Sequence, residues 1–240
     1  MERIYKRKQI IGTSWCDSSS RLSVTGCFAL FLDTAGEHAE DLGCGVELYR
    51  ERGLFWVASK TAVRFYRRPA LWEKVEVSTW PEPPKGLRSL RDYRLTAGDE
   101  VLAEGKTEFV LVELETGRML SSAGLYSPDF PFSGEKAVPG AFHRFTEGTP
   151  WVPFSEYTVR ATDIDLGGHM NNVAYVRMLE RRFSTREWTD LGPASLELHY
   201  RASCYEGDRL TLFRRDTAEG LELRAEKNDG NLILLALLGR

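Results

Sequence analysis

Cysteine is scarce in this chain and poorly placed for crosslinking or metal binding. The 240 residues hold four, Cys16, Cys27, Cys44 and Cys204, at wide and irregular spacings with no Cys-x-x-Cys. That excludes a disulfide framework and a zinc site of ordinary spacing, and no metal is expected. Long apolar runs are missing as well. The longest, Leu232 to Leu238, is far too short to span a bilayer and reads as a buried strand. Excess charge of one sign is missing: a formal net charge of −3 does not favour nucleic-acid binding. The opening residues, MERIYKRKQIIG, contain no apolar core of signal-peptide length. A cytoplasmic protein with reduced cysteines and no membrane association is therefore expected. There is no Gly-x-Ser-x-Gly elbow for a serine hydrolase and no Gly-rich phosphate loop, so no nucleotide cofactor is expected.

What is present is an ordinary globular composition, 42% hydrophobic and 28% charged, arranged as one unit repeated. A first strand (Ile4 to Thr13) leads to Asp17-Ser-Ser-Ser-Arg21. A helical pattern follows from Val24 to Leu42, stopped by Gly43. Strand-like segments come next, at 54–67, 73–81, 87–96 and 100–112, with Ala97-Gly98-Asp99 as a hairpin turn. A stretch rich in Pro, Gly and Ser from Ser121 to Pro150 reads as a linker, wrapped over the surface. The order then recurs: a strand at 154–161, Asp165-Leu-Gly-Gly-His169, a helix near 171–187, and strands near 194–203, 208–215, 220–228 and 231–238. Asn228-Asp229-Gly230 is the second hairpin signal.

Both loop strings place their last residue four after the aspartate. Tyr66-Arg67 and Tyr200-Arg201 fall near the ends of corresponding strands, which leaves the first copy about 14 residues longer, assigned to the segment around Gly45 to Gly53. A helix followed by an antiparallel meander packs across one sheet face. Two such units side by side predict an α+β double hotdog with a continuous sheet. The expected division is an N-terminal unit at 1–125, a linker at 126–152 and a C-terminal unit at 153–240.

The string with most chemistry in it is Thr162-Asp-Ile-Asp-Leu-Gly-Gly-His-Met-Asn-Asn-Val-Ala-Tyr175, which runs into a helix. Unpaired N–H groups at a helix start can hold a developing oxyanion. The diglycine lets the backbone approach a ligand. His169 can donate to a thioester carbonyl or move a proton, and Asp165 can orient it or activate water. From the string alone another reading stands level with this one: Asp163 or Asp165 caps the turn and Asn171 caps the helix.

The stretch resembles the Asp-x-Asn-x-His-Val-Asn-Asn-x-x-Tyr motif of the acyl-acyl-carrier-protein (acyl-ACP) thioesterases of plant plastids and bacteria. Similar segments run through the chain in the family's order: Arg21-Leu-Ser, Gly36-Glu-His-Ala-Glu, Gly53-Leu-Phe-Trp-Val-Ala-Ser, Ser78-Thr-Trp-Pro, Arg91-Asp-Tyr-Arg, Leu102-Ala-Glu-Gly, Leu114-Glu-Thr-Gly-Arg118 and Leu198-His-Tyr-Arg-Ala-Ser-Cys204. The resemblance implies a double hotdog and release of free fatty acid from a carrier-protein thioester. The lack of a transit-like leader points to the bacterial branch. It places catalytic roles on Asp165, His169 and Asn171, with Asn172 beside it. Two positions depart from the pattern: the motif's first Asn is Gly167, and the Glu before the cysteine, a general base in the family, is Ser203. That leaves Asp165 as the base, with Glu206 behind it. Cys204 stands where a nucleophile has been placed in the family, but with glycine in place of the Asn a papain-like triad is incomplete. A buried, inert Cys204 is the expectation.

In the first copy Arg21 takes the place of His169, and an arginine cannot shuttle protons near neutral pH. One active site per chain is predicted, in the C-terminal unit, with the N-terminal unit holding the acyl tail. Phe28, Phe31, Leu32 and Trp56 are lining residues or simply core. His38 reads as a surface or packing residue, His143 has no partner in view, and His199 reads as solvent-facing. Arg177, Arg181, Arg182 and Arg186 share much of one face of the expected helix and either dock an acidic carrier protein or form a solvated basic face. The expected partner is acyl-carrier protein, with the chain itself a monomer or homodimer. Two rivals remain: an acyl-CoA thioesterase of the same fold, and a catalytically weak hotdog protein that binds acyl chains.

Overall fold

The structure is a computed structural model that describes residues 3–146 and 148–239. It divides into two compact units, Met1–Gly140 and Ala141–Arg240. In the first, β1 (Tyr5–Ile10) passes through a 3-10 turn at Thr13–Trp15 into α1 (Val24–Asp41) and the short α2 (Val46–Arg52). Then come β2 (Leu54–Phe65), β3 (Lys74–Pro81), β4 (Arg88–Ala97), β5 (Glu100–Glu113) and the two-residue β6 (Met119–Leu120). The strands pair antiparallel in the order β1-β3-β4-β5-β2, with β6 on β5. In the second unit β7 (Val152–Thr158) passes through a 3-10 turn at Ala161–Asp163 into α3 (Asn172–Glu180) and α4 (Thr185–Leu191). There follow β8 (Ser195–Tyr200), β9 (Arg209–Thr217), β10 (Gly220–Lys227) and β11 (Leu232–Gly239). Their order, β7-β9-β10-β11-β8, is that of the first unit strand for strand. The fold is the double hotdog that the repeat predicts.

Helix α1 forms where Phe28, Phe31 and Ala35, with Cys27, Leu30, Thr34 and His38, recur at helical spacing and all become buried. Ser23 caps it, its Oγ accepting from Gly26 N at 2.9 Å. Phe31 stacks on Tyr93 of β4, centroids 5.0 Å apart and planes 12° from parallel. Gly105 of β5 makes the close approach possible, since a Cβ there would sit 3.0 Å from the Phe31 ring. Burying each of these phenylalanines stabilises the unit by about 1.5–3 kcal/mol. The segment at 121–140 is a strap across the first unit. Its Tyr126, Phe130 and Phe132 rings cluster with Leu42, Leu48 and Leu54. On β4 neighbouring side chains point to opposite faces: Arg91 reaches His38 on α1, while Asp92 accepts from Ala137 N of the strap at 3.0 Å. Burial pushes the Asp92 carboxyl up to about 7.

Several expectations change once the second unit is described. The helix near 171–187 is two helices, because Ser184 and Glu187 form a capping box that starts a new one: Glu187 N donates to Ser184 Oγ at 3.3 Å and Ser184 N to Glu187 Oε2 at 2.8 Å. Since α4 is thus the counterpart of α2, the extra length of the first copy lies mainly in the helix α1 (18 residues against 9 in α3) rather than around Gly45 to Gly53. The four arginines consequently share no single helix face. Arg181 and Arg182 lie in the break, Arg182 Nη1 donates to Glu156 O at 3.0 Å, and Arg186 faces Asp190 on α4. Finally, His199 is buried, not solvent-facing, with Nε2 2.7 Å from Glu197 Oε1. His143, which had no visible partner in sequence, lies between Glu219 (2.9 Å) and Glu222 (3.0 Å).

Candidate functional site

The loop before α3 is held by a short ladder of local bonds. Asp165 N donates to His169 O at 2.9 Å, Gly168 N to Asp165 O at 3.0 Å, and Gly167 N to Asp165 Oδ1 at 2.8 Å. Gly168 has φ +75°, a left-handed conformation that glycine adopts without steric cost. Asn171 N donates to Asp163 O at 2.7 Å and Met170 N to Cys204 O at 2.8 Å. Asn171 caps α3, its Oδ1 accepting from Val173 N at 2.7 Å. These bonds occupy the N–H groups of residues 167, 168, 170, 171 and 173. Those of His169 and Asn172 have no such partner among the described residues, which leaves two donors at the helix start.

The structure places the carboxylate of Asp165 and the ring of His169 on this one turn, both half-buried, without a hydrogen bond between them. Asp165 Oδ2 has no partner among the described residues. The imidazole of His169 leans on Tyr205, centroids 5.1 Å apart. Asp163 is buried and belongs to the scaffold: its Oδ2 accepts from Tyr157 OH at 2.7 Å and Arg160 N at 2.9 Å. Burial and that carboxylate push the Tyr157 hydroxyl up to about 12. Ser203 is exposed, as is Glu206. Cys204 is fully buried beside Tyr175, and burial raises its thiol above the ordinary cysteine value. A raised thiol carries little thiolate near neutral pH, so the environment is that of an inert cysteine.

The first unit repeats this loop bond for bond. Asp17 N donates to Arg21 O at 2.8 Å, Ser20 N to Asp17 O at 3.0 Å, and Ser19 N to Asp17 Oδ1 at 2.9 Å. Leu22 N donates to Pro69 O at 2.8 Å, so Pro69 takes the role of Cys204 and Arg68 that of Ser203. Arg68 Nη1 is bound to Asp17 Oδ2. Burial alone would raise the Asp17 carboxyl, but hydrogen bonds from Ser19 and Arg68, with the guanidinium charge, hold it below the usual carboxylate range.

Beside α1 in the first unit lies a cavity of about 160 Å³. Its wall includes Leu32, Ala35, Trp56, Phe109 and Tyr126, with Arg91 set among them. Of the four residues that sequence left between lining and core, Leu32 and Trp56 line this space and Phe28 and Phe31 are core. His38 is a packing residue, buried against the Tyr5 ring at 5.4 Å. Sequence reasoning missed Tyr205, the open N–H of Asn172, and Arg91. The alternation Ser89, Arg91, Tyr93, Leu95 along β4 is the signal that marks Arg91 as inward-facing.

Comparisons with known proteins identify the family. Residues 2–123 match the acyl-ACP thioesterase N-terminal domain, and residues 152–231 match the C-terminal domain of the same family. A chloroplastic oleoyl-acyl carrier protein thioesterase of Coriandrum sativum is 23% identical over 226 residues, which is 85% of this chain and 60% of that protein. Thus the chain spans about 60% of that relative's length. Among solved structures, an acyl-ACP thioesterase from Bacteroides thetaiotaomicron superposes with a TM-score of 0.81 at 24% identity, covering 99% of this chain and 97% of that one. The 12:0-ACP thioesterase from Umbellularia californica superposes with a TM-score of 0.79 at 20% identity, covering 98% and 96%. Two family domains in order, over most of the sequence, settle the assignment: the chain belongs to the acyl-ACP thioesterase family.

Proposed function

We propose that this chain hydrolyses fatty acyl thioesters of acyl-carrier protein, with the chemistry on the loop before α3. The observation that carries the reading is the pair of unpartnered N–H groups, His169 and Asn172, on the same turn as the His169 ring and the open Oδ2 of Asp165. Two open donors on one turn can stabilise the oxyanion that forms as water adds to the thioester carbonyl. Asp165 takes the proton of the attacking water, and His169 donates one to the departing thiolate of the pantetheine arm. The carbon–sulfur bond breaks, and a free fatty acid and a thiol leave. Asn171 acts as a positioning residue, since its side chain is bound to Val173 N and fixes where the helix starts. The first unit by itself holds an apolar cavity of the kind that an acyl chain needs.

The test is turnover by the purified protein of acyl-carrier-protein and acyl-CoA thioesters of equal chain length, with His169→Ala as control. Release of fatty acid from the carrier-protein substrate, lost in the control, supports the reading. Faster turnover of acyl-CoA moves the substrate class. No turnover of either, with fatty-acid binding retained, replaces the enzyme with a binding protein.

A further inference from the structure

The cavity beside α1 is apolar apart from a few hydroxyls, a thiol and one charge, and that charge has no counter-ion. Arg91 is 7% exposed. Its Nη1 donates to His38 Nδ1 at 3.0 Å and, more weakly, to Thr79 Oγ1 at 3.4 Å, so both of its hydrogen bonds come from one nitrogen. Among the described residues Nε and Nη2 have no partner, and no carboxylate lies within ion-pair distance. The ionisable groups near it on the cavity wall are Cys44 and Tyr126, and burial holds both in their neutral forms at neutral pH. A buried guanidinium without a counter-ion is disfavoured, and the Nε–Nη2 edge is a fork that fits a carboxylate with two parallel hydrogen bonds.

We propose that Arg91 makes this cavity a site for an aliphatic chain that carries a carboxylate, gripped through Nε and Nη2. This rests on the proposed thioesterase reading for the identity of the chain. Its size follows from the volume: a cavity of about 150 Å³ takes a benzene molecule, so about 160 Å³ takes about six carbons. Two sources share the chemistry. One is the released fatty acid, entering carboxylate first, and the other is an acyl group whose far end is itself a carboxylate.

Calorimetric titration of the wild-type protein with hexanoate and with 1-hexanol at pH 7.5 tests the central claim without any variant. Hexanoate is expected to bind at least tenfold more tightly, with the Trp56 fluorescence changing on binding. Arg91→Met removes that preference, and Arg91→Lys, which keeps the charge but not the fork, removes most of it. Hydrolysis then separates the sources. For a terminal carboxylate, kcat/KM for the adipic half-thioester of carrier protein exceeds that for hexanoyl-carrier protein at least tenfold, and the ratio inverts in Arg91→Met. For product binding, hexanoate inhibits hexanoyl turnover and Arg91→Met relieves the inhibition tenfold. Equal affinity of the wild type for hexanoate and hexanol overturns the proposal. Absence of thioester hydrolysis with the hexanoate preference intact overturns the thioesterase reading instead, and the carboxylate site stands.

Discussion

The loops at Asp17–Arg21 and Asp165–His169 share a backbone and differ in what surrounds the carboxylate. Three equivalent hydrogen bonds shape each. In the first, Arg68 binds the aspartate and arginine stands where the imidazole would be. In the second, Ser203 stands in place of Arg68, and Asp165 keeps an oxygen open beside His169. A carboxylate fixed in a salt bridge is a poor base, because its lowered pKa weakens the pull on a proton. The same loop backbone therefore shapes a turn in either unit, and the proposed reactivity of the second depends on the groups placed around it.

Breaking the comparison from the reactive side gives the largest effect. His169→Ala or Asp165→Asn is expected to lower kcat at least 100-fold with the thermal midpoint little changed, whereas Asp17→Asn leaves kcat within twofold. Steady-state hydrolysis of an acyl-carrier-protein substrate, alongside calorimetry, checks both; inactivation by Asp17→Asn in a folded protein would contradict the one-site reading. Making the second loop resemble the first comes next. Ser203→Arg should bind Asp165 as Arg68 binds Asp17 and reduce kcat about tenfold, with the acid limb of the pH–rate profile displaced downward. Cys204→Ala should retain activity within threefold and lose about 1 kcal/mol of stability, read as a midpoint shift of about 2–4 °C. Complete loss of hydrolysis there would restore the nucleophile.

Two smaller effects sharpen the comparison through stability. The lowered Asp17 carboxyl contributes stability above the ordinary carboxylate pKa of about 3.9, and that contribution disappears as pH falls through the lowered value. Arg68→Met should therefore reduce stability by about 1 kcal/mol at pH 7, with the gap from wild type closing below about pH 4. A midpoint difference that widens in acid would refute the pairing. Ser20 has φ +56° where Gly168 has φ +75°. Ser20→Gly should accordingly stabilise by a few tenths of a kcal/mol, and Gly168→Ala should cost about 1 kcal/mol. Urea denaturation curves measure both.

Much of this was legible along the chain. The two Asp-x-x-x strings, the Gly43 stop and the Asp99 and Asp229 hairpins gave the repeat and hence the double hotdog, because each depends on residues a few positions apart. The split between α3 and α4 was also written locally, in Ser184 and Glu187, but the apolar spacing that continues past Glu180 obscured it. His143 was misjudged because its partner Glu222 lies 79 positions away, and His199 because its burial comes from packing, its partner Glu197 being only two positions off.

By itself the sequence determined the loop, its glycine, the helix cap and the presence of an aspartate and a histidine one turn apart. Those features arise from hydrogen bonds that close within about five residues, so the string contains both ends of each. The tertiary structure alone decided which aspartate is free. Arg68 reaches Asp17 across 51 positions, and the same fold sets the exposed Ser203 at the matching place in the second unit. It also decided that Arg91 lies buried without a counter-ion, since burial and pairing are properties of what packs around a side chain and not of its neighbours along the chain.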